Sequence, residues 1–457
     1  MAASRFNKDQ LKAIAHNTGP AMVIAGPGSG KTTVITNRVK ALIESGTARP
    51  EEILVITFTV AAASEMKSRF IKLCNNPSVT FGTFHSVFYH FLRTIPRYAG
   101  LRLAETKECI DILRRIVRKL VPDNRYTSDF YSYLLNRISV IKNTEDIASI
   151  NDSFVYKVLR IYQSELMREG LIDFDDMLVL FNKCLIEDEA FRDAMRRRFR
   201  FIMIDEFQDI NRVQFDAVRT LAAPLDNIFV VGDDDQSIYA FRGSDPSIML
   251  GFKKYYPNVT YIELFTNYRS SKTIIKTASK LIAHNKERYD KRFEAVKEAG
   301  PKVAARSFRS SEDEAAFVAA DIMRLPDEIK TVGILYRTHR AGMLVNRTVE
   351  AMLQDNLPKI SLMTFHASKG LEFDAVYIIS ANEDITPSKS SGEAGLPEER
   401  RLFYVAMTRA KQFLHISDTR YIYNKTQIRS RFVREALGVK AAAGDIFRKL
   451  IDGGFGL

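Results

Sequence analysis

The chain has 457 residues, 46% of them hydrophobic and 27% charged, with 67 Lys and Arg against 55 Asp and Glu for a formal net charge of +12. That length excludes a single small fold and accommodates two or three domains with cores of their own, no stretch is apolar for long enough to span a bilayer, and the first six residues carry no apolar signal core, so the expectation is a cytoplasmic protein. Cys74, Cys109 and Cys184 are odd in number, widely spaced and without C-x-x-C spacing, which argues for buried thiols over a disulfide framework or a zinc site; the basic balance favours a polyanionic partner, because Lys and Arg that neutralise phosphates release counterions, but charge alone does not identify one.

In chain order, Lys8 to Asn17 reads as a helix, Ala21–Ala25 as an apolar strand, and a glycine-rich turn then leads into a second helix running through Glu44. Further β-like runs at Ile53–Thr57, Phe201–Ile204 and Ile228–Val231 alternate with helical patterns, which predicts a parallel sheet with helices on both faces. From Val87 to Leu171 the pattern turns helical, as in Ile110, Ile112, Leu113, Ile116, Val117 and Leu120, and reads as an insertion. A second α/β pattern starts at Tyr261, with β-like runs at Val332–Tyr336, Ser361–Thr364 and Ala375–Ile379. Arg340–Lys359 and Ser388–Glu398 read as polar loops, and the glycine-rich ending Asp452–Leu457 as a frayed tail. The expected division is 1–87 with 173–260 for a first α/β domain, 88–172 for a helical insertion, 261–440 for a second α/β domain and 441–457 for a tail.

Ala25-Gly26-Pro27-Gly28-Ser29-Gly30-Lys31-Thr32 follows a strand and opens a helix, the context that a phosphate-binding loop requires. Glycines let backbone N–H groups turn inward around phosphates, and the helix N-terminus adds a favourable dipole. Lys31 would reach the β- and γ-phosphates of ATP, and Thr32 would ligate Mg²⁺. The run Phe201-Ile-Met-Ile-Asp205-Glu206 supplies the expected acidic end of a neighbouring strand, with Asp205 suited to Mg²⁺ and Glu206 to polarising the attacking water. An apolar strand ending in two acids is, taken alone, usually a strand leaving the core; the phosphate loop reverses that balance. Positive charge on the γ-phosphate should come from arginines elsewhere, with Arg269 and Arg409 as candidates that spacing alone does not single out.

Motif order singles them out. Phe6-Asn7-x-x-Gln10, the phosphate loop, Thr57-Phe58-Thr59, Gly82-Thr83-Phe84-His85-Ser86, Asp173-Phe174, Asp205-Glu206-Phe207-Gln208-Asp209 and Gly232-Asp-Asp-Asp-Gln236-Ser-Ile-Tyr239 come first. Asn267-Tyr268-Arg269-Ser270, Leu362-Met-Thr364-Phe-His366-Ala-Ser-Lys369-Gly370-Leu-Glu372-Phe373 and Glu399-Arg-Arg-Leu-Phe-Tyr404-Val-Ala-Met-Thr408-Arg409-Ala410 follow. In order and wording the set resembles the superfamily one DNA helicases of the UvrD/Rep/PcrA group over nearly the whole chain.

The resemblance implies two RecA-like P-loop domains with ATP between them, single-stranded DNA as partner and movement 3′ to 5′, with work at single/double-strand junctions in repair, recombination or replication. It implies that Gln10 reads the adenine edge, that Tyr268 stacks on the base, and that Gln236, Arg269 and Arg409 sense the γ-phosphate. Gly370 and Glu372 would also contact nucleotide, and Thr33 stands where relatives place a nucleotide-contacting Arg. Phe58, Thr59, Thr83, His85, Tyr239, Phe241, Arg242, Thr364 and His366 would line the strand path, since aromatic faces stack on any base; core packing is the alternative for each aromatic alone. Asp418–Gln427 reads as a hairpin at the place where relatives carry one that splits the duplex.

Departures from the pattern matter too. Val60-Ala61 replaces a polar pair, Phe241 replaces the usual tryptophan in a chain with no Trp, and the interval from Arg337 to Leu362 is too short for the regulatory subdomain that relatives insert there. The lost insertion and Val60-Ala61 motivate a second reading, a nucleotide-gated strand clamp that separates no duplex. A third, the motor half of a helicase–nuclease, finds no carboxylate-rich segment after Arg409; protein partners, a separate nuclease subunit among them, stay open.

Overall fold

The computed structural model describes residues 6–122, 126–144, 153–352, 358–422 and 425–439, so the expected tail at 441–457 lies outside the described residues. The chain divides into two compact units, one from Met1–Ala25, Lys31–Asp233 and Tyr239–Leu264, the other from Gly26–Gly30, Asp234–Ile238 and Phe265–Leu457.

In the first unit the strands are β1 (Ala21–Ala25), β2 (Ile53–Thr57), β3 (Thr80–Thr83), the short β4 (Arg102–Leu103) and β5 (Leu171–Ile172), then β6 (Phe201–Ile204), β7 (Ile228–Gly232) and β8 (Thr260–Leu264). Six of them form one sheet in the order β3-β2-β6-β7-β1-β8, every neighbour parallel. Because helices cover a parallel sheet on both faces, its strands read as unbroken apolar runs, and β1, β2 and β6 are buried from end to end. Val23, Val55, Met203 and Phe229 pack against Val34, Val39 and Phe70 of the flanking helices Lys31–Glu44 and Val60–Cys74; each fully buried side chain of this size contributes about 1.5–3 kcal/mol. β8 completes this sheet beside β1, so the chain leaves the first sheet after Leu264 and not at 260, as the sequence pattern suggests. Thr260–Leu264 alternates partly exposed with buried residues, as an edge strand does, and this alternation obscures its membership.

The insertion is helical, as expected. β4 pairs with β5 and closes its neck, and helices Thr106–Leu120, Ser128–Thr144 and Ser153–Arg168 share a core of their own around Ile112, Leu113, Ile116, Val117, Leu134, Ile138, Val158 and Tyr162.

The second unit contains β9 (Thr266–Ser271) paired with β10 (Glu294–Lys297), and a five-stranded parallel sheet of β11 (Ala304–Phe308), β12 (Thr331–Tyr336), β13 (Lys359–Thr364), β14 (Phe373–Ile378) and β15 (Ala410–Thr419), in the order β11-β15-β14-β12-β13. The segment read as a polar loop at Arg340–Lys359 is instead mostly helix, His339–Met352. Two adjacent parallel strands need a crossover of a dozen or more residues, and Val345 and Val349 supply its buried face against β12. One helix therefore spans the described part of the interval that the resemblance marks as too short for a subdomain. The expected loop Ser388–Glu398 likewise ends early, in helix Leu396–Met407, which carries Pro397 in its first turn, where proline's missing N–H costs nothing. Tyr421–Ile422 and Lys425–Thr426 pair antiparallel, in keeping with the hairpin, whose turn residues 423–424 lie outside the described residues. No helix among the described residues is long and apolar enough to cross a membrane.

Candidate functional site

In a parallel α/β sheet the carboxyl ends of the strands are where loops meet ligands, and β1 ends at Ala25, immediately before Gly26. Gly28 and Gly30 take positive φ angles of 64° and 87°, a left-handed backbone that only glycine adopts without strain. Ser29 Oγ donates to Gly26 O at 2.9 Å. Lys31 begins helix Lys31–Glu44, with Thr32 and Thr33 in its first turn; the Thr32 carbonyl accepts from Thr36 Oγ1, and that of Thr33 from Asn37.

β6 delivers the acidic pair. Asp205 is buried at its end, and Glu206 takes a left-handed conformation at φ 53°, a strained geometry for a residue with a side chain and one that clusters at functional sites. It turns the carboxylate toward the loop lysine, with Lys31 Nζ and Glu206 Oε1 4.0 Å apart. Gln208 Nε2 donates to Glu206 Oε2 at 2.6 Å. Gln10 closes a reciprocal cap with Asn7, accepting its N–H at 3.1 Å through Oε1.

The remaining nucleotide candidates belong to the second unit. There the Tyr268 N–H donates to Gly28 O at 3.0 Å, Asn267 Nδ2 donates to Pro27 O, and a side chain at Gly28 would bring its Cβ to 2.5 Å from Arg269 Cβ. Arg269 Nε donates to Glu372 Oε2 at 2.8 Å, and Lys411 lies 3.0 Å from the other carboxylate oxygen. Burial opposes the Glu372 charge, but Arg269 and Lys411 outweigh it and hold the carboxyl below its ordinary pKa. Arg409 is buried between the cap of helix Leu396–Met407 and the start of β15; its Nε donates to Val405 O at 2.9 Å and its Nη2 to Gln236 Oε1 at 3.2 Å. Gln236 and Arg409 thus meet, although 172 residues separate them in sequence between positions 236 and 409. Gly370 takes a positive φ of 84°. Thr364 ends β13, its Oγ1 accepting from Ala367 N at 3.3 Å, and His366 follows in the turn.

Seven of the nine residues expected on the strand path converge in the first unit on one cleft of about 640 Å³, namely Phe58, Thr59, Thr83, His85, Tyr239, Phe241 and Arg242. Thr59 and Thr83 are the N-caps of helices Val60–Cys74 and Phe84–Leu92, accepting from Ala62 N and Ser86 N at 3.1 Å each; those hydroxyls therefore fix helix starts at the cleft edge. Phe241 is 56% exposed, and Arg242 lies 5.5 Å from the ring centres of both Tyr239 and Phe241, a cation–π arrangement that holds the loop together.

His85 stacks on Phe174 with ring centres 3.7 Å apart. Phe174 is 55% exposed and stands in the cleft lining with Asn136 and Ser139 of the insertion helix Ser128–Thr144. Phe174 stands in a motif that by itself gives the ring no place on the path, and Asn136 and Ser139 carry no signal in the sequence beyond helical spacing.

Burial pushes the His85 pKa down from 6.5 to about 4, so the imidazole is neutral at physiological pH and meets Phe174 as an uncharged ring. In the unfolded chain His85 takes up a proton as pH falls below 6.5; in the fold it does not until about pH 4. The unfolded state then binds more protons, and stability falls through that window. His85→Gln should flatten this acid limb in thermal midpoints measured from pH 7 to 4; an unchanged limb would place the imidazole in solvent.

A family model described as the UvrD/REP helicase N-terminal domain matches residues 6–257, and one described as the UvrD-like helicase C-terminal domain matches 262–351 and 340–421. YjcD of Bacillus subtilis is 33% identical over 406 residues, covering 83% of this chain and 52% of that protein. The ATP-dependent DNA helicase PcrA of Staphylococcus aureus is 30% identical over 403 residues, covering 84% of this chain and 55% of that protein. The chain therefore spans about half the length of these relatives. With matching models over both halves and two parallel-sheet α/β units of the RecA-like kind, this chain belongs to the UvrD/REP helicase family.

Proposed function

We propose that the chain is an ATP-driven motor that translocates 3′ to 5′ on single-stranded DNA and separates duplex at single/double-strand junctions, working in the cytoplasm in DNA repair, recombination or replication. The observation that carries this reading is the convergence of Phe58, His85, Tyr239, Phe241 and Arg242 on one cleft of the unit that also holds the Lys31–Glu206 pair. Exposed aromatic rings beside an arginine bind successive bases without regard to sequence, which a motor requires.

ATP would be held by Ala25 to Thr33, with Gln10 and Tyr268 on the base, and Gly370, Glu372, Gln236, Arg269 and Arg409 would answer to its phosphates. Mg²⁺ fits Thr32 and Asp205, a hydroxyl and a buried carboxylate at a strand end, since this ion takes few protein oxygens and completes its shell with phosphate and water; bound there, it would neutralise charge on the β- and γ-oxygens. Glu206 polarises the attacking water, and Lys31 offsets negative charge on the γ-phosphate. Thr364 and His366 would extend the strand path.

ATP turnover of the purified chain with and without oligo(dT) tests the proposal. At least tenfold stimulation is expected, and turnover indifferent to the strand ends the motor reading. Tailed duplexes then report polarity, with unwinding from a 3′ tail expected. Val60, 72% exposed next to Thr59 of the cleft lining and standing where a polar contact is expected, favours the strand clamp as second reading; single-turnover release of a displaced strand by the monomer excludes it.

A further inference from the structure

Asn143 lies in the last turn of helix Ser128–Thr144 and is 3% exposed in the wall of the strand cleft. Its Nδ2 donates to Asp175 Oδ1 at 2.7 Å and to Ser139 O at 2.9 Å, and its Oδ1 accepts from Asn211 Nδ2 at 2.8 Å. The amide can sit only one way round, because a carboxylate and a carbonyl accept and never donate. The two partners outside its own helix, Asp175 and Asn211, belong to different segments.

Asp175 follows Phe174, the ring stacked on His85. Asn211 ends the turn that starts at Asp205; it N-caps helix Arg212–Ala222 through its Oδ1, which leaves its Nδ2 for Asn143. Within that turn Gln208 donates to Glu206 and accepts from Asp233 N at 2.9 Å. Asn211 also bridges to Ser244. Next to Ser244, Gly243 packs so closely that a side chain there would place its Cβ 3.1 Å from Asn143 Cβ, in the loop that carries Phe241 and Arg242. One buried amide is thereby bonded to the segment of Phe174, bonded to the turn of Glu206 and packed against the loop of Phe241.

We propose that Asn143 is a positioning residue through which a strand seated in the cleft sets the turn that holds Glu206, which makes the helical insertion the link between strand binding and hydrolysis. The inference rests on the motor reading above. A strand that stacks on Phe174 or Phe241 displaces their loops, and a buried amide cannot exchange its partners for water without leaving donors or acceptors unsatisfied. Motion of Asp175 or Gly243 therefore carries Asn143, and with it Asn211, rather than dissipating in solvent.

Two variants test this. Asn143→Ala removes every hydrogen bond of this side chain, those to Asp175 and from Asn211 included. Asn211→Ser keeps a good N-cap and loses only the bond to Asn143, so it remains informative if the first variant folds poorly. Turnover without DNA, turnover at saturating oligo(dT) and oligo(dT) affinity by anisotropy are measured for both variants and for the unmodified chain. Asn211→Ser should keep basal turnover within about twofold and strand affinity within about threefold, while the stimulation factor falls at least fivefold; Asn143→Ala should lose at least as much stimulation. A stimulation factor that stays at the unmodified value in Asn211→Ser, or a basal rate that falls in step with the stimulated one, overturns the role of Asn143. An unmodified chain that oligo(dT) does not stimulate overturns instead the motor reading beneath it.

Discussion

Glu206→Gln is expected to lower ATP turnover by about 10²–10⁴-fold, the range that a positioned acid–base group contributes, while nucleotide affinity changes little. The substitution keeps shape and volume and removes the charge and the capacity to take a proton. The setting of this carboxylate argues for so large an effect: a left-handed backbone at φ 53°, a hydrogen bond from Gln208 and the Lys31 amine 4.0 Å away all specify its orientation. Steady-state turnover with nucleotide binding measured in parallel is the check, and a variant that keeps more than a tenth of the turnover would transfer the role to another group.

Lys142→Met should destabilise the first unit by about 3–5 kcal/mol, the cost of removing one partner from a buried ion cluster. Lys142 donates to Asp173 Oδ2 at 2.7 Å and Asp176 Oδ1 at 2.8 Å, and all three side chains are buried. Burial alone would favour the neutral amine; the two carboxylates outweigh it and raise the Lys142 pKa. With methionine there, both acids stay in the interior without a counter-charge, and Gln163, which donates to Asp176 at 2.7 Å, cannot compensate for two. The cluster also joins the insertion helix to the Asp173–Asp176 turn beside Phe174, so strand affinity should fall with stability. Urea unfolding followed by far-UV circular dichroism suits a chain without tryptophan. A loss below about 1 kcal/mol would mean that water reaches the cluster.

The contrast between these two sites shows what kind of information a sequence carries. The loop from Ala25 to Thr32 and the acids after β6 were legible because each is a local device: glycines where the backbone must turn left-handed, a lysine at a helix start, carboxylates at the end of an apolar run. The sheets were legible for a related reason, since strands buried on both faces need side chains such as those of Ala21–Ala25 and Ile53–Thr57 throughout. Helix His339–Met352 reads as a loop because Gly342, Asn346 and the charged Arg340, Arg347 and Glu350 dilute its apolar stripe. Only the parallel pairing of β12 with β13 reveals why a helix must stand there.

Lys142, Asn143, Asn136 and Ser139 read as the polar side of an amphipathic helix, and the same letters would serve a face turned to water. Residue order by itself determined the local chemistry of this chain: the phosphate loop, the acidic strand end, the apolar runs and the motif series that marks the family. Tertiary structure alone decided that Lys142 is buried between two carboxylates, that Asn143 joins three segments and that seven residues from three stretches of chain share one cleft. The physical reason is that burial and hydrogen-bond partners at long separation depend on which face of a helix turns inward, and composition and spacing leave that choice undetermined for polar residues.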